Sequence, residues 1–302
     1  MKSVLMFPGQ GSQYVKMGFD LYQNLEIKKL FDKTSEIIND DISSIMFDGP
    51  ENVLTESKNA QVAILLHSYS VYSLLKHKIS FDAVCGHSLG EYSALLVAGV
   101  FDFETAVKLV RKRGELMSLA GEKAKGSMAA VIGLSPEKIE EIVSKVDGVV
   151  VANFNGDMQT VISGTVDGVE IASKKLTDEG AKRVIKLNVS GAFHSPLMDY
   201  AYREFSDYIE NFEFKKPDCY VLMNVSAEFE NDPSKIKDLL KQQIVSPVKW
   251  TQILKNLYKN GYENFYEVGP SKVLSGIARK MFPEKKIYSF EKEEEIKNFF
   301  KE

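Results

Sequence analysis

Apolar positions along the 302-residue chain follow two rhythms. Val4–Phe7 is a short unbroken apolar run ended by Pro8-Gly9, and Asp82–Cys85 is a second; both predict buried strands. Leu21–Ile38 has helical character, and Val62, Leu65, Leu66, Tyr69 and Tyr72 keep the spacing of one helix face. Leu89–Ala98, small and aliphatic, predicts a helix, and Asp102 can cap another through about Ala120. Further on, helices are predicted over Pro196–Asn211, Pro233–Ile244, Trp250–Asn260 and Val273–Lys280. Tyr220–Met223 and Phe265–Val268 read as strands between them. Strands alternating with helices predict a parallel sheet covered on both faces.

The middle of the chain changes style. Ser127–Ile132 predicts a strand, and Ser135-Pro136 opens a helix with serine as N-cap and proline in the first turn. Val149–Asn153 and Thr160–Ser163 are two strands around a turn. Asp167–Glu179 is a helix ended by Gly180, and Arg183–Leu187 a last strand. The order β-α-β-β-α-β is the split βαβ, or ferredoxin-like, unit. Boundaries are expected near Gly126 and Val189. Residues 1–125 and 190–302 then form one discontinuous α/β unit, interrupted by a small unit over 126–189.

Composition narrows the class. Hydrophobic residues at 44% and charged residues at 26% exclude bulk disorder. A net charge of −4 is too weak to point to nucleic acid or a membrane surface as partner. Two distant cysteines, Cys85 and Cys219, make no metal cluster, redox pair or disulfide framework. Asn59–Leu75 is uncharged but carries Gln61, His67, Ser68, Ser70 and Ser73, so it reads as a buried helix rather than a membrane span. The N-terminus lacks a signal-peptide core, and a cytoplasmic soluble protein is expected.

The sharpest chemical signal is Gly86-His87-Ser88-Leu89-Gly90, a G-x-S-x-G between a predicted strand and a predicted helix. That context is what a nucleophile elbow requires: small residues flank a strained serine whose hydroxyl is lifted to a helix N-terminus. A serine nucleophile needs a base, and there are four histidines. His67 sits in the buried helix as a candidate satisfied core residue, His77 between lysines looks solvated, and His87 beside the serine is expected to point away. His194, in Ser190-Gly191-Ala192-Phe193-His194-Ser195-Pro196, is preferred over His67. No Asp or Glu stands out as a third member, so a backbone carbonyl can orient the base.

Arg113 lies three residues after Val110 and four before Met117, on the inward face of its helix, with no carboxylate at neighbouring turns. A buried unpaired guanidinium is costly, so either another segment supplies an acid or a ligand does. The Phe7–Gln13 loop is glycine-rich but fits neither a P-loop nor a dinucleotide fingerprint. At the end of a strand, its backbone N–H groups suit one half of an oxyanion hole.

In this order these pieces resemble the malonyl-CoA:acyl carrier protein transacylases and the acyltransferase domains of polyketide synthases. Asn153-Phe154-Asn155, Pro247–Trp250 and Tyr266–Pro270 add to the likeness, which spans about Val4 to Arg279. The resemblance implies a hydrolase-like α/β domain with a ferredoxin-like insertion, acting without metal or redox cofactor. It implies Ser88 as nucleophile, His194 as base, and Arg113 as the binder of the malonyl carboxylate. The N–H groups of Gln10 and Leu89 match the oxyanion hole, and the main-chain carbonyl of Gln243 matches the group that orients the histidine. Phe193 matches the malonyl-selective form, in which a bulky ring crowds an α-methyl. The implied partners are malonyl-CoA and acyl carrier protein, for a chain expected to be monomeric and to supply fatty-acid synthesis. A polyketide acyltransferase, a serine thioesterase or hydrolase with the same elbow, and a non-catalytic carrier-binding module are the rivals.

Overall fold

The computed structural model describes residues 1–301. In chain order its first elements are β1 (Lys2–Phe7), α1 (Leu25–Ile38), α2 (Ile42–Phe47), α3 (Glu51–Leu54), α4 (Ser57–Leu75), β2 (Ala83–Gly86), α5 (Gly90–Val97) and α6 (Phe103–Lys123). Then come β3 (Gly126–Ile132), α7 (Pro136–Val143), β4 (Val149–Gly156), β5 (Gln159–Thr165), α8 (Val166–Asp178) and β6 (Arg183–Lys186). The last are α9 (Asp199–Ile209), β7 (Tyr220–Leu222), β8 (Phe229–Glu230), α10 (Pro233–Gln243), α11 (Trp250–Lys259), β9 (Tyr262–Val268), α12 (Val273–Met281), β10 (Lys286–Phe290) and α13 (Glu293–Phe299).

The larger sheet has the order β10-β9-β1-β2-β7-β8, parallel except for the short β7–β8 pair. β1 lies at its centre because Val4–Phe7 is apolar on both sides, as a parallel strand covered on both faces must be. Side chains alternate across the pleat: Leu5, Phe7 and Val84 enter one core, and Val4, Met6, Ala83 and Cys85 enter the other. β1 and β2 are in register to their ends, Phe7 opposite Gly86. The two loops that follow these strands therefore emerge side by side.

The smaller sheet, β4-β5-β3-β6, is antiparallel throughout. α7 and α8 cover one face around Val131, Ile139, Ile162 and Leu176. From the opposite face Met128, Ala152 and Val161 join the larger core. Val248 donates to the Ala152 carbonyl and accepts from Phe154, which ties β4 to the segment before α11. This is the expected hydrolase-like parallel sheet plus ferredoxin-like unit.

Some expectations change. The helix over Leu21–Ile38 is interrupted, because Asn24 adopts an extended conformation and its side chain caps the amides of Glu26 and Ile27. Pro196–Asn211 likewise divides into a 3-10 turn over Pro196–Met198, capped by Ser195, and α9. β4 runs past Asn153 to Gly156, with register shifts that the alternation of its side chains does not reveal. Five elements carry no pattern that the sequence analysis predicted: the short α2, α3 and β8, the edge strand β10 and the polar helix α13.

Candidate active site

Ser88 sits in the turn between β2 and α5 with φ of +51°, left-handed for a residue with a Cβ. The turn closes only with glycine on either side. A Cβ on Gly86 would lie 1.9 Å from the Gly90 carbonyl carbon, and one on Gly90 would lie 2.0 Å from the Phe7 oxygen. Asn224, in the loop after β7, holds the turn from below. Its Oδ1 accepts from Ser88 N at 2.7 Å and its Nδ2 donates to Gly86 O at 2.6 Å.

His194 Nε2 lies 2.8 Å from Ser88 Oγ, and its Nδ1 lies 2.8 Å from the main-chain carbonyl of Gln243. A carbonyl can only accept, so Nδ1 carries the proton and Nε2 is free to accept from the serine. His194 is buried; burial, reinforced by the nearby Arg113 charge, pushes its pKa down to about 3. It is a neutral base throughout the ordinary pH range.

The other histidines separate cleanly. His87 Nε2 bonds Asn155 Oδ1 at 2.8 Å, and its ring meets Trp250 edge-on. His77 is exposed just beyond α4. His67 is buried in α4 as expected, but neither of its ring nitrogens has a protein partner. It is therefore an unsatisfied core histidine, and burial pushes its pKa down to about 4.

Arg113 is 1% exposed. Its Nη1 donates to Gln61 Oε1 at 2.7 Å, and its Nη2 donates to Ser88 Oγ at 3.0 Å and Gln243 Oε1 at 2.9 Å. All three acceptors are neutral, and the Tyr92 ring lies 5.5 Å from the guanidinium carbon. Burial pushes the Arg113 pKa down, opposed by Tyr92 and Glu91.

Glu91, Asn224 and Gln61 are the site residues that sequence reasoning missed. Glu91 is fully buried, and its two oxygens accept from Asn224 N and Gln243 Nε2. Burial pushes its pKa up to about 8 against those two bonds and the Arg113 charge. Both oxygens accept N–H groups, which is the arrangement of a carboxylate. The signal was present: a lone acid in the small, aliphatic run Leu89–Ala98. Asn224 and Gln61 carry no comparable local mark.

The backbone amides of Gln10 and Leu89 donate to no protein acceptor among the described residues. They lie on the two adjacent loops after β1 and β2. A cleft of about 360 Å³ opens here, lined by Gln10, Ser88, Arg113, Met117, Phe193 and His194, with Met128 and Leu187–Val189 closing it from the smaller unit. Phe193 is nearly buried, packed into the main core next to the base. The cleft thus holds an activated hydroxyl, a neutral base, two free amides and a buried cation. That set suits acyl transfer of a group bearing a negative charge.

Comparison with known proteins points the same way. The acyl transferase domain family matches residues 4–294. A malonyl CoA-acyl carrier protein transacylase of Bacillus subtilis is 42% identical over 286 residues, covering 93% of this chain and 90% of its own. An acyl carrier protein S-malonyltransferase of Vibrio cholerae superposes with a TM-score of 0.95 at 36% identity, over 99% of this chain and 100% of its own. A malonyl-transacylase solved with a type II polyketide synthase acyl carrier protein gives a TM-score of 0.95 at 32% identity, over 99% of this chain and 98% of its own.

Proposed function

The chain belongs to the acyl transferase domain family, and from that premise we propose a two-step malonyl transfer carried by Ser88, His194 and Arg113. The enzyme transfers the malonyl group of malonyl-CoA to the phosphopantetheine thiol of acyl carrier protein, supplying fatty-acid synthesis. His194 Nε2 takes the proton of Ser88 as its oxygen attacks the thioester carbonyl. The tetrahedral oxyanion faces the amides of Gln10 and Leu89; its collapse breaks the C–S bond, the coenzyme A sulfur takes the proton back from His194 and leaves as thiol, and malonyl-Ser88 remains. The carrier thiol then gives its proton to His194 and attacks the serine ester; collapse breaks the Ser88 Oγ–acyl bond, His194 returns the proton to Oγ, and the malonyl-carrier dissociates. Gln243 O keeps the histidine tautomer through both halves.

The observation that carries this reading is Arg113: a buried guanidinium with only neutral acceptors, bonded to the nucleophile's own oxygen. A simple hydrolase has no use for it, whereas a malonyl carboxylate fits its planar fork. Phe193 beside the base favours malonyl over methylmalonyl, by the roughly 1–3 kcal/mol that one methyl contributes. Residues 1–125 with 190–302, and 126–189, are the two units of this scheme, with the reacting pair at their seam. Freedom from any cofactor and a cytoplasmic setting belong to the same proposal; among the described residues no helix is long and apolar enough to cross a membrane.

The deciding experiment is a transfer assay with malonyl-CoA, acetyl-CoA and methylmalonyl-CoA, with and without carrier protein, and mass spectrometry of the Ser88 peptide. Carrier-dependent malonyl turnover and a malonyl-Ser88 adduct lost in Ser88→Ala support the reading. Rapid malonyl-CoA consumption without carrier supports a hydrolase instead.

A further inference from the structure

We propose that Glu91 is a positioning residue for substrate selection, acting through the side-chain amide of Gln243 to aim Arg113 at the acyl carboxylate. The inference rests on the malonyl-transfer reading above. Gln243 serves the site twice. Its main-chain carbonyl orients His194, and its side chain runs the other way, between Glu91 and Arg113. An amide has one accepting and one donating end, and which end faces Arg113 depends on what faces the other. Glu91 faces the other. Its Oε2 accepts Gln243 Nε2, and Ser88 O lies 3.0 Å from the same nitrogen. With Nε2 held by two acceptors, Oε1 is committed to Arg113 Nη2. Rotated by half a turn, the amide would present N–H groups to a guanidinium that can only donate.

The arrangement also answers how a buried guanidinium survives without an ion pair. When ionised, Glu91 favours the charged form of Arg113, yet it is not among its hydrogen-bond acceptors. The amide lies between them. A direct Arg113–Glu91 pair would satisfy the fork and compete with the substrate carboxylate. Insulated by Gln243, the acid leaves the Arg113 fork to neutral acceptors that a carboxylate can displace. Glu91 is held in turn by Asn224 N, and Asn224 holds the Ser88 turn. Its own geometry is therefore set by the same loop that sets the nucleophile.

Glu91→Gln tests this with little change in shape. A glutamine cannot accept from Asn224 N and Gln243 Nε2 together, so one bond becomes a clash of donors and the Gln243 amide loses its orientation. Measured on the full-length enzyme below its melting transition, the KM for malonyl-CoA should rise about tenfold, the equivalent of about 1.4 kcal/mol. Acetyl-CoA loading of Ser88, which places no carboxylate on Arg113, should change by less than about threefold. Gln243→Met removes the amide but keeps the carbonyl on His194. It should raise the malonyl KM to a similar extent, and adding Glu91→Gln to it should cost malonyl transfer nothing more. Gln243→Met also decides the matter where Glu91→Gln does not fold. An unchanged malonyl KM in either variant overturns the proposal. So does an equal loss of malonyl and acetyl loading, which would mean that Glu91 only props the serine turn. Failure of the underlying reading shows separately, in a wild-type enzyme that forms no malonyl-Ser88 or an Arg113→Ala enzyme with unaltered acyl preference.

Discussion

Arg113 donates directly to the oxygen of Ser88, 3.0 Å away, so the cation of this site and its nucleophile are hydrogen-bonded partners rather than neighbours. Ser88 Oγ thus stands between two groups, His194 Nε2 on one side and a guanidinium nitrogen on the other. A carboxylate entering the cleft is a stronger acceptor than a hydroxyl, and in taking up the guanidinium it releases the serine oxygen.

Arg113→Ala therefore removes both the anchor and the discrimination. Losing a charge-assisted, two-point bond costs about 3 kcal/mol, roughly a hundredfold in kcat/KM for malonyl-CoA. Acetyl-CoA loses no such bond, so the malonyl-to-acetyl ratio should collapse. Parallel kcat/KM measurements on the two thioesters check this, and an unaltered ratio would remove Arg113 from its role.

The buried base sets an unusual pH profile. An ordinary imidazole near 6.5 would be about nine-tenths protonated at pH 5.5 and transfer would fall tenfold. His194, pushed down to about 3, stays neutral there. Acylation of Ser88 by acetyl-CoA, which places no carboxylate on Arg113, followed by rapid quench from pH 8 to 5, should hold within about threefold. A limb near 6.5 would show that the base is solvated.

Stability should move with acid where activity does not. His67 is neutral in the folded state down to about 4, whereas in the unfolded chain it binds a proton below 6.5. Between those values the unfolded state holds more protons, so stability present above pH 6.5 is lost as pH falls, at up to about 1.4 kcal/mol per unit from this group. Because neither ring nitrogen has a protein partner, His67→Met deletes no protein hydrogen bond. Denaturant melts at pH 7 and pH 4.5 should show the variant losing less stability on acidification than the wild type.

Two glycine substitutions separate crowding from backbone strain. Gly90→Ala drives a methyl against the Phe7 carbonyl at 2.0 Å, between the loops that carry Ser88 and Gln10. It should abolish the malonyl-Ser88 adduct and lower the melting temperature. Gly180 has φ of +96° but open space around its Cα. Gly180→Ala should cost only the strain of its conformation, about 1 kcal/mol, and leave transfer intact. Equal behaviour of the two would mean that the elbow tolerates opening.

What was legible in the chain was what local chemistry writes. A strand, two glycines around a serine and a helix start mark the Ser88 turn within five residues; the conflict that demands glycine at position 86 is local, with Gly90, whereas the one at position 90 is with Phe7 across the sheet. The class of each sheet was legible from the succession of β and α elements, whereas which strands pair, and the strands β8 and β10, were not. Helix interruptions at Asn24 and before Asp199 were not, because a side chain that caps competes with a pattern that continues. The electrostatic frame of the site was legible least. Gln243 reaches Arg113 from 130 positions away, and Asn224 reaches Ser88 from 136. Neither carries a pattern of its own, since an amide is recognisable as functional only by what it faces. The sequence by itself determined the Ser88 turn, the β-α-β-β-α-β succession of the small unit and the burial of Arg113. Folding alone decided what Arg113 and Glu91 meet, because hydrogen bonds and burial are properties of neighbours, and these neighbours come from separate segments, 25 to 152 positions away.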